Sequence, residues 1–202
     1  MPPRRRRLAA SFPAGGLKAR EGRKENKGKC RRAGLRRARK RVFQGGPRVY
    51  VGVVGGQFCT EEEARLAYEV GRLLARRGAV LVCGGLGGVM EASCKGAKEE
   101  GGVTIGILPG PFRGDANPYV DHAIATDMGQ ARNAVIVRTV DAVIAVGGEY
   151  GTLSEIAMAL KMGKRVVAIS SWDIARRGVP DEKLLRASGP QEAVEAVLGP
   201  ER

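Results

Sequence analysis

Short unbroken apolar runs recur along this chain from about residue 48 onward, and between them apolar residues return every three or four positions. The runs at 48–54, 79–83, 103–108, 142–146 and 165–169 have strand length and lack the polar alternation of a half-wet sheet. They predict strands buried on both faces. The segments between them predict helices. Thr60-Glu-Glu-Glu63 has the form of a capping box, and Ala64, Ala67, Tyr68, Val70, Leu73 and Leu74 follow at helical spacing until Gly78. Further helices are predicted over 89–100, 127–139, 152–162 and 188–198, the last with Pro190 near its start. A shorter, alternating strand is predicted over 119–125 and contains His122.

Strands that are apolar throughout and alternate with helices imply an α/β fold. The expectation is a Rossmann-like three-layer sandwich with a mainly parallel sheet and right-handed crossovers. Ligands in such sheets lie beyond the carboxyl ends of the strands. Three Gly-rich turns fall at such ends: Gly55-Gly56, Gly84 to Gly88, and Gly147 to Gly151. None has the GxxxxGK[ST] spacing of a Walker loop. None is a clean GxGxxG with an acid closing the next strand. This argues against a nucleoside triphosphatase and against an NAD dehydrogenase.

The third turn is the most informative. Asp141 to Glu155 reads as a strand, a Gly-rich turn and a helix start. The free N–H groups and dipole of a helix N-terminus favour an anion, so a phosphate is expected there. Gly147, Gly148, Gly151 and Thr152 would supply N–H groups and a hydroxyl; an ordinary glycine turn with Thr152 as N-cap is the alternative. Gly55, Gly85, Gly87 and Gly88 would let the other two turns approach the ligand, or would serve tight packing. Arg132, ahead of an apolar helix, can clamp a phosphate through its planar fork. Glu155 has two readings. Thr152-Leu-Ser-Glu155 has capping-box form, and a carboxylate there can also stabilise an oxocarbenium-like ribose.

Charge changes the picture at the N-terminus. Residues 1–48 hold 18 Lys and Arg against two acids, whereas residues 49–202 hold 17 against 19. The formal net charge of +14 therefore belongs to the first 48 residues. Residues 1–47 are read as a basic, disordered tail, and 48–202 as one domain with a sizeable core. The tail has two readings: a nucleic-acid arm, or a start codon placed too far upstream in a GC-rich frame. The single His122 excludes multi-His metal centres, and Cys30, Cys59, Cys83 and Cys94 show no CxxC spacing. No metal site, membrane span or targeting signal is expected, and the thiols suit a reducing cytoplasm.

Several segments together resemble a known family. Gly84-Gly-Leu-Gly-Gly-Val-Met90, Gly101 to Pro109, Ala131-Arg-Asn133 and Gly147 to Glu155 are similar to the lonely-guy, or lysine-decarboxylase-like, Rossmann superfamily. The resemblance covers about Val49 to Leu198. Asn117-Pro-Tyr119 and Thr126 to Asn133 fit its branch of molybdenum cofactor carriers and nucleotide-binding relatives. That branch implies a cytoplasmic binding protein for a phosphorylated nucleotide-like ligand, AMP-like or a carried molybdenum cofactor. It requires no other cofactor and suggests a homodimer or larger assembly.

The cytokinin-activating branch implies an alternative, a nucleoside 5′-monophosphate phosphoribohydrolase with Glu155 and Arg132 as catalytic residues. Lysine decarboxylation is not implied, since nothing resembles a pyridoxal phosphate site. A third alternative is a nucleic-acid-associated protein acting through the tail. Two departures favour the carrier branch: the hydrolases' Pro-Gly-Gly is Gly147-Gly148-Glu149 here, and their Lys is Asn133, a ligand-binding candidate in its own right.

Overall fold

The structure is a computed structural model and describes residues 48–200. The predicted tail at 1–47 lies outside these residues. Six strands follow the apolar runs: β1 (Tyr50–Gly55), β2 (Val80–Cys83), β3 (Val103–Leu108), β4 (His122–Ala125), β5 (Ala142–Val146) and β6 (Arg165–Ile169). The helices between and after them are α1 (Glu61–Arg76), α2 (Val89–Glu99), α3 (Asn133–Thr139), α4 (Tyr150–Lys161) and α5 (Pro190–Leu198). Two-residue strands β7 (Ala175–Arg176) and β8 (Val179–Pro180) form a hairpin, and β9 (Leu184–Arg186) precedes α5.

The main sheet runs in the order β4-β3-β2-β1-β5-β6-β9, with every pair parallel. It is thus wholly parallel, where a mainly parallel sheet was expected. Strand order reverses between β1 and β5. The chain winds outward one way from β1 through β4, then crosses back to β5 and winds the other way. The carboxyl ends of β1 and β5 therefore diverge into a crevice.

Alternate strand residues feed two cores. Val51, Val53, Ile144, Val146, Val167 and Ile169 pack with α1, α2 and α5 on one face. Val54, Val143, Ala145, Val166 and Ala168 pack with α3 and α4 on the other. This is the three-layer sandwich. Each fully buried Leu, Val or Ile contributes about 1.5–3 kcal/mol, so continuous apolar strands are what this architecture demands. On the first face α1 and α2 nearly touch. A Cβ on Gly71 would overlap the backbone at Ser93, and one on Gly96 the backbone at Tyr68.

The capping box of α1 forms in both directions. Thr60 Oγ1 accepts from the Glu63 N–H at 3.2 Å, and Glu63 Oε2 accepts from the Thr60 N–H at 2.8 Å. The capping-box reading of Glu155, by contrast, is corrected. Helix α4 begins at Tyr150, with Glu149 as an N-cap in extended conformation. Gly147 and Gly148 both have positive φ, 52° and 93°, and swing the chain into the helix two residues early. The first intrahelical bond is Leu153 N–H to Glu149 C=O at 3.0 Å. Glu155 consequently stands in the second turn, buried, and caps nothing.

The predicted helix over 127–139 is also shorter. Asp127 and Gly129 have positive φ, and a 3₁₀ turn, Gly129–Arg132, leads into α3. Strands β7 to β9 follow no apolar run. Arg177 and Gly178, at φ 55° and 79°, supply the two left-handed positions of a tight hairpin, and β9 forms because the free edge of β6 is there to pair with. No helix among the described residues is long and apolar enough to cross a membrane.

Candidate functional site

A cavity of about 240 Å³ opens in the crevice between β1 and β5. Its floor is the end of β1, Val54 to Gly56, and Gly84 after β2. Glu149, the N-cap of α4, and Gly151, Thr152 and Glu155 within that helix line it on one side, and Gln130, Arg132 and Asn133 from the α3 side. Gln57, Phe58, Leu86, Met90 and Pro109 complete the wall.

The N-terminus of α4 gives this cavity its polarity. The N–H groups of Tyr150, Gly151 and Thr152 precede the first intrahelical bond, so the helix leaves them without a partner of its own. The partial positive charge of the helix end adds to them.

Arg132 is the cation. Its side chain is 8% exposed, unusually buried for a guanidinium. Nη1 donates to Asn133 Oδ1, Nη2 makes a long contact of 3.5 Å to the Gly84 carbonyl, and Nη1 stands 3.8 Å from Glu155 Oε1. Nε is buried with no hydrogen-bond partner. Nε is thus a desolvated donor without a partner, which is costly, while Nη1 and Nη2 are engaged. Burial pulls the Arg132 pKa below the usual value, while Glu155 and Cys83 oppose this. Asn133 fixes the arrangement from the other side: its Nδ2 donates to the Gly151 carbonyl at 3.4 Å and to Ser154 Oγ at 3.3 Å. One amide side chain therefore bridges the Arg132 guanidinium to the first turn of α4.

Glu155 is 7% exposed at its side chain. Burial pushes its carboxyl up to about 7, and the Arg132 charge only partly offsets this. A carboxyl that titrates near neutrality in a cleft, beside a cation, is a mark of functional sites.

The sequence candidates divide. Gly55, Arg132, Asn133, Gly151, Thr152 and Glu155 share this cavity. Gly147 and Gly148 line a second space on the far side of the same turn, with Ser170 to Asp173. Gly85, Gly87 and Gly88 are absent from both walls. A Cβ on Gly88 would meet the carbonyls of Gly56 and Gln57, so that glycine lets the turns after β1 and β2 nest together. Glu149, whose acid replaces a small residue, is exposed and lines the mouth.

Sequence reading missed Gly84 and Asn117. A Cβ on Gly84 would collide with the Arg132 guanidinium and lie 2.7 Å from Met90 Sδ, so only glycine leaves that guanidinium its berth. Asn117 is buried and holds the 84–88 turn: its N–H donates to Gly85 C=O and its Nδ2 to Leu86 C=O, both at 2.9 Å. The Asn-Pro-Tyr motif was visible, but the carbonyls it serves lie 32 and 31 residues upstream. Among the described residues no group of three His, Cys, Asp or Glu side chains could hold a metal ion.

Comparison with known proteins follows the same lines. A model of the SLOG cluster4 family matches residues 48–194. An uncharacterized protein of Archaeoglobus fulgidus is 57% identical over 119 residues, which is 59% of this chain and 78% of that protein. The cytokinin riboside 5′-monophosphate phosphoribohydrolase of Mycobacterium tuberculosis is 36% identical over 121 residues, spanning 55% of this chain and 64% of that enzyme. Among solved structures, the molybdenum cofactor binding protein of the phototrophic bacterium Rippkaea orientalis superposes with a TM-score of 0.69 at 38% identity, covering 75% of this chain and 96% of that one.

Proposed function

The chain belongs to the SLOG cluster4 family, and on that premise we propose that it is a binding protein for a phosphorylated nucleotide-like ligand, either AMP-like or a carried molybdenum cofactor. In this reading the phosphate lies against the N–H groups of Gly151 and Thr152, which line the cavity, and the Arg132 guanidinium closes over it. The observation that carries this reading is the buried Arg132, with Nε unpartnered, facing a helix N-terminus across one cavity. The relative from Rippkaea orientalis, whose name states that it binds molybdenum cofactor, supports the same reading. The donor set fits one phosphate group, and it would hold the cofactor by that phosphate while redox chemistry is left to whatever accepts the cargo. A homodimer or larger assembly is part of the proposal, and sedimentation tests it.

The test is equilibrium binding of AMP and of a phosphorylated pterin to the purified chain, beside Arg132→Ala. A ligand at a hundred times its Kd stabilises the fold by about 2.7 kcal/mol, a clear rise in Tm. Hydrogen bonds to charged groups are worth about 1.5–3 kcal/mol, so Arg132→Ala weakens binding about tenfold to a hundredfold. Wild-type protein that no phosphorylated nucleotide or pterin stabilises would overturn the reading.

A second reading rests on Glu155. A carboxyl near pH 7 beside a phosphate site suits acid–base or charge-stabilising work at a ribose, and the mycobacterial relative carries such an activity in its name. It predicts adenine release from AMP, abolished by Glu155→Gln. Absence of turnover across the common nucleoside monophosphates refutes it.

A further inference from the structure

Two thiols adjoin the phosphate cavity through their chain neighbours, and the reading above uses neither. Cys83 closes β2, one residue before Gly84 on the cavity floor. Cys94 stands in α2, one turn after Met90 on the cavity wall. Both are free and fully buried, and their Sγ atoms are 3.5 Å apart.

The two sulfurs are not equivalent. A hydrogen bond from Cys94 lowers the Cys83 pKa most; the Gly85 N–H, which donates to Cys83 Sγ at 3.3 Å, and the Arg132 charge act the same way against burial. Cys94 moves in the opposite direction, raised by that same bond and by burial. Cys83 is therefore the sulfur that forms a thiolate, and Cys94 keeps its proton and points it at Cys83. A buried cysteine without donors is inert, whereas a thiolate beside a cation, with a second thiol in reach, has the makings of a redox pair.

We propose that Cys83 and Cys94 are a modification site for hydrogen peroxide, and that the disulfide formed there weakens phosphate binding in the Arg132 cavity. Cys83 gives its proton to water. Its thiolate attacks one peroxide oxygen, the O–O bond breaks, and the departing hydroxide takes up that proton as water. Cys83 is left as a sulfenic acid. The Cys94 sulfur then attacks the Cys83 sulfur: the S–S bond forms, the S–O bond breaks, and hydroxide leaves with the Cys94 proton as a second water. The two thiols lose two electrons and the peroxide gains them. Hydrogen peroxide is close to water in size and enters through the cavity, which the packed core denies to bulky thiol reagents.

The effect on binding rests on the phosphate reading. Bond formation draws the sulfurs from 3.5 Å to about 2.05 Å. Helix α2 has no room to supply that movement, because Gly71 and Gly96 hold its backbone against α1. Strand β2 is paired along both edges, to β1 and to β3. The turn that follows Cys83 takes up the shift. Its first residue, Gly84, receives the 3.5 Å contact from Arg132 Nη2, and even a Cβ there would collide with the guanidinium. Moving this turn dislodges Arg132.

The experiment treats the full chain with hydrogen peroxide, then unfolds, alkylates and maps it by mass spectrometry. One tryptic peptide, 78–95, carries both thiols. It should become two hydrogens lighter and escape alkylation, while iodoacetamide on the native chain should leave both thiols unmodified. Calorimetry with AMP should show binding about tenfold weaker after oxidation, the scale of one hydrogen bond to a charged group. Saturating AMP should slow the loss of the two thiols in wild type, a readout that needs no variant. The double variant Cys83→Ala, Cys94→Ala should bind AMP like reduced wild type and keep that affinity in peroxide. Peroxide also oxidises methionine, and Met90 lines the cavity; a loss of affinity in the double variant as large as in wild type would place the effect there and overturn the proposal. A peptide left as a dithiol, AMP affinity indifferent to the disulfide, or thiol loss indifferent to AMP would overturn it equally. Failure of AMP to bind reduced wild type would strike the effect on binding through the phosphate reading, while the peptide mass still decides the thiol chemistry.

Discussion

Glu155→Gln is the perturbation that interrogates the site most directly, because it removes one charge and almost no volume. In the folded protein burial raises the Glu155 carboxyl from its ordinary value near 4.5 to about 7. A folded-state pKa above the unfolded one means that the native state binds the proton more tightly. Stability from this group is then complete below about pH 4.5 and lost as pH rises through 7. At 1.36 kcal/mol per tenfold change in proton affinity, the rise corresponds to roughly 3 kcal/mol. The side chain is 7% exposed, so solvent screening reduces this little.

The assay is urea unfolding of wild type and Glu155→Gln at intervals from pH 5 to pH 8.5. Wild type should lose stability across that range by up to roughly 3 kcal/mol more than the variant. The difference curve cancels every group common to both proteins. Glu155→Gln should be no more stable than wild type at pH 5 and clearly more stable at pH 8.5. Parallel profiles would show that Glu155 is hydrated or fully paired with Arg132, and the account of a desolvated carboxyl would fall.

Three other outcomes follow from the geometry. Gly84→Ala should displace the Arg132 guanidinium and cut nucleotide affinity at least tenfold by calorimetry, because the added Cβ falls on that group. Thr60→Ala should cost about 1 kcal/mol in urea unfolding, since the Glu63 N–H loses its Oγ1 acceptor while the residue-60 N–H keeps Glu63 Oε2; a loss under about 0.3 kcal/mol would mean that half of the box is redundant. Deleting residues 1–47 should leave nucleotide affinity intact, and any salt-dependent binding of nucleic acid should disappear with it; nucleic-acid binding that survives the deletion would rule out the arm.

Much of the fold was legible because its signals are local. Thr60 and Glu63 are three residues apart and cap their helix wherever it sits. The apolar runs of β1, β2, β3, β5 and β6 predict burial on both faces without reference to which helix covers them. The turn at Gly147 to Gly151 marked a strand-to-helix junction through composition alone. Errors arose where a local pattern had two solutions. Thr152 to Glu155 has the letters of a capping box, but the positive φ of Gly147 and Gly148 starts the helix at Tyr150.

What the tertiary structure alone decided is the electrostatics of the site. Arg132 and Glu155 are both ordinary surface residues by type, and 23 positions separate them. Nothing near either in the chain predicts that both will lie nearly dry. The reversal of strand order between β1 and β5 brings α3 beside α4, and Gly84, after β2, vacates the space that Arg132 fills. Desolvation depends on every atom that excludes water from a point, whichever part of the chain supplies it. A motif can therefore name the residues of this cavity, but only the folded packing sets their charge.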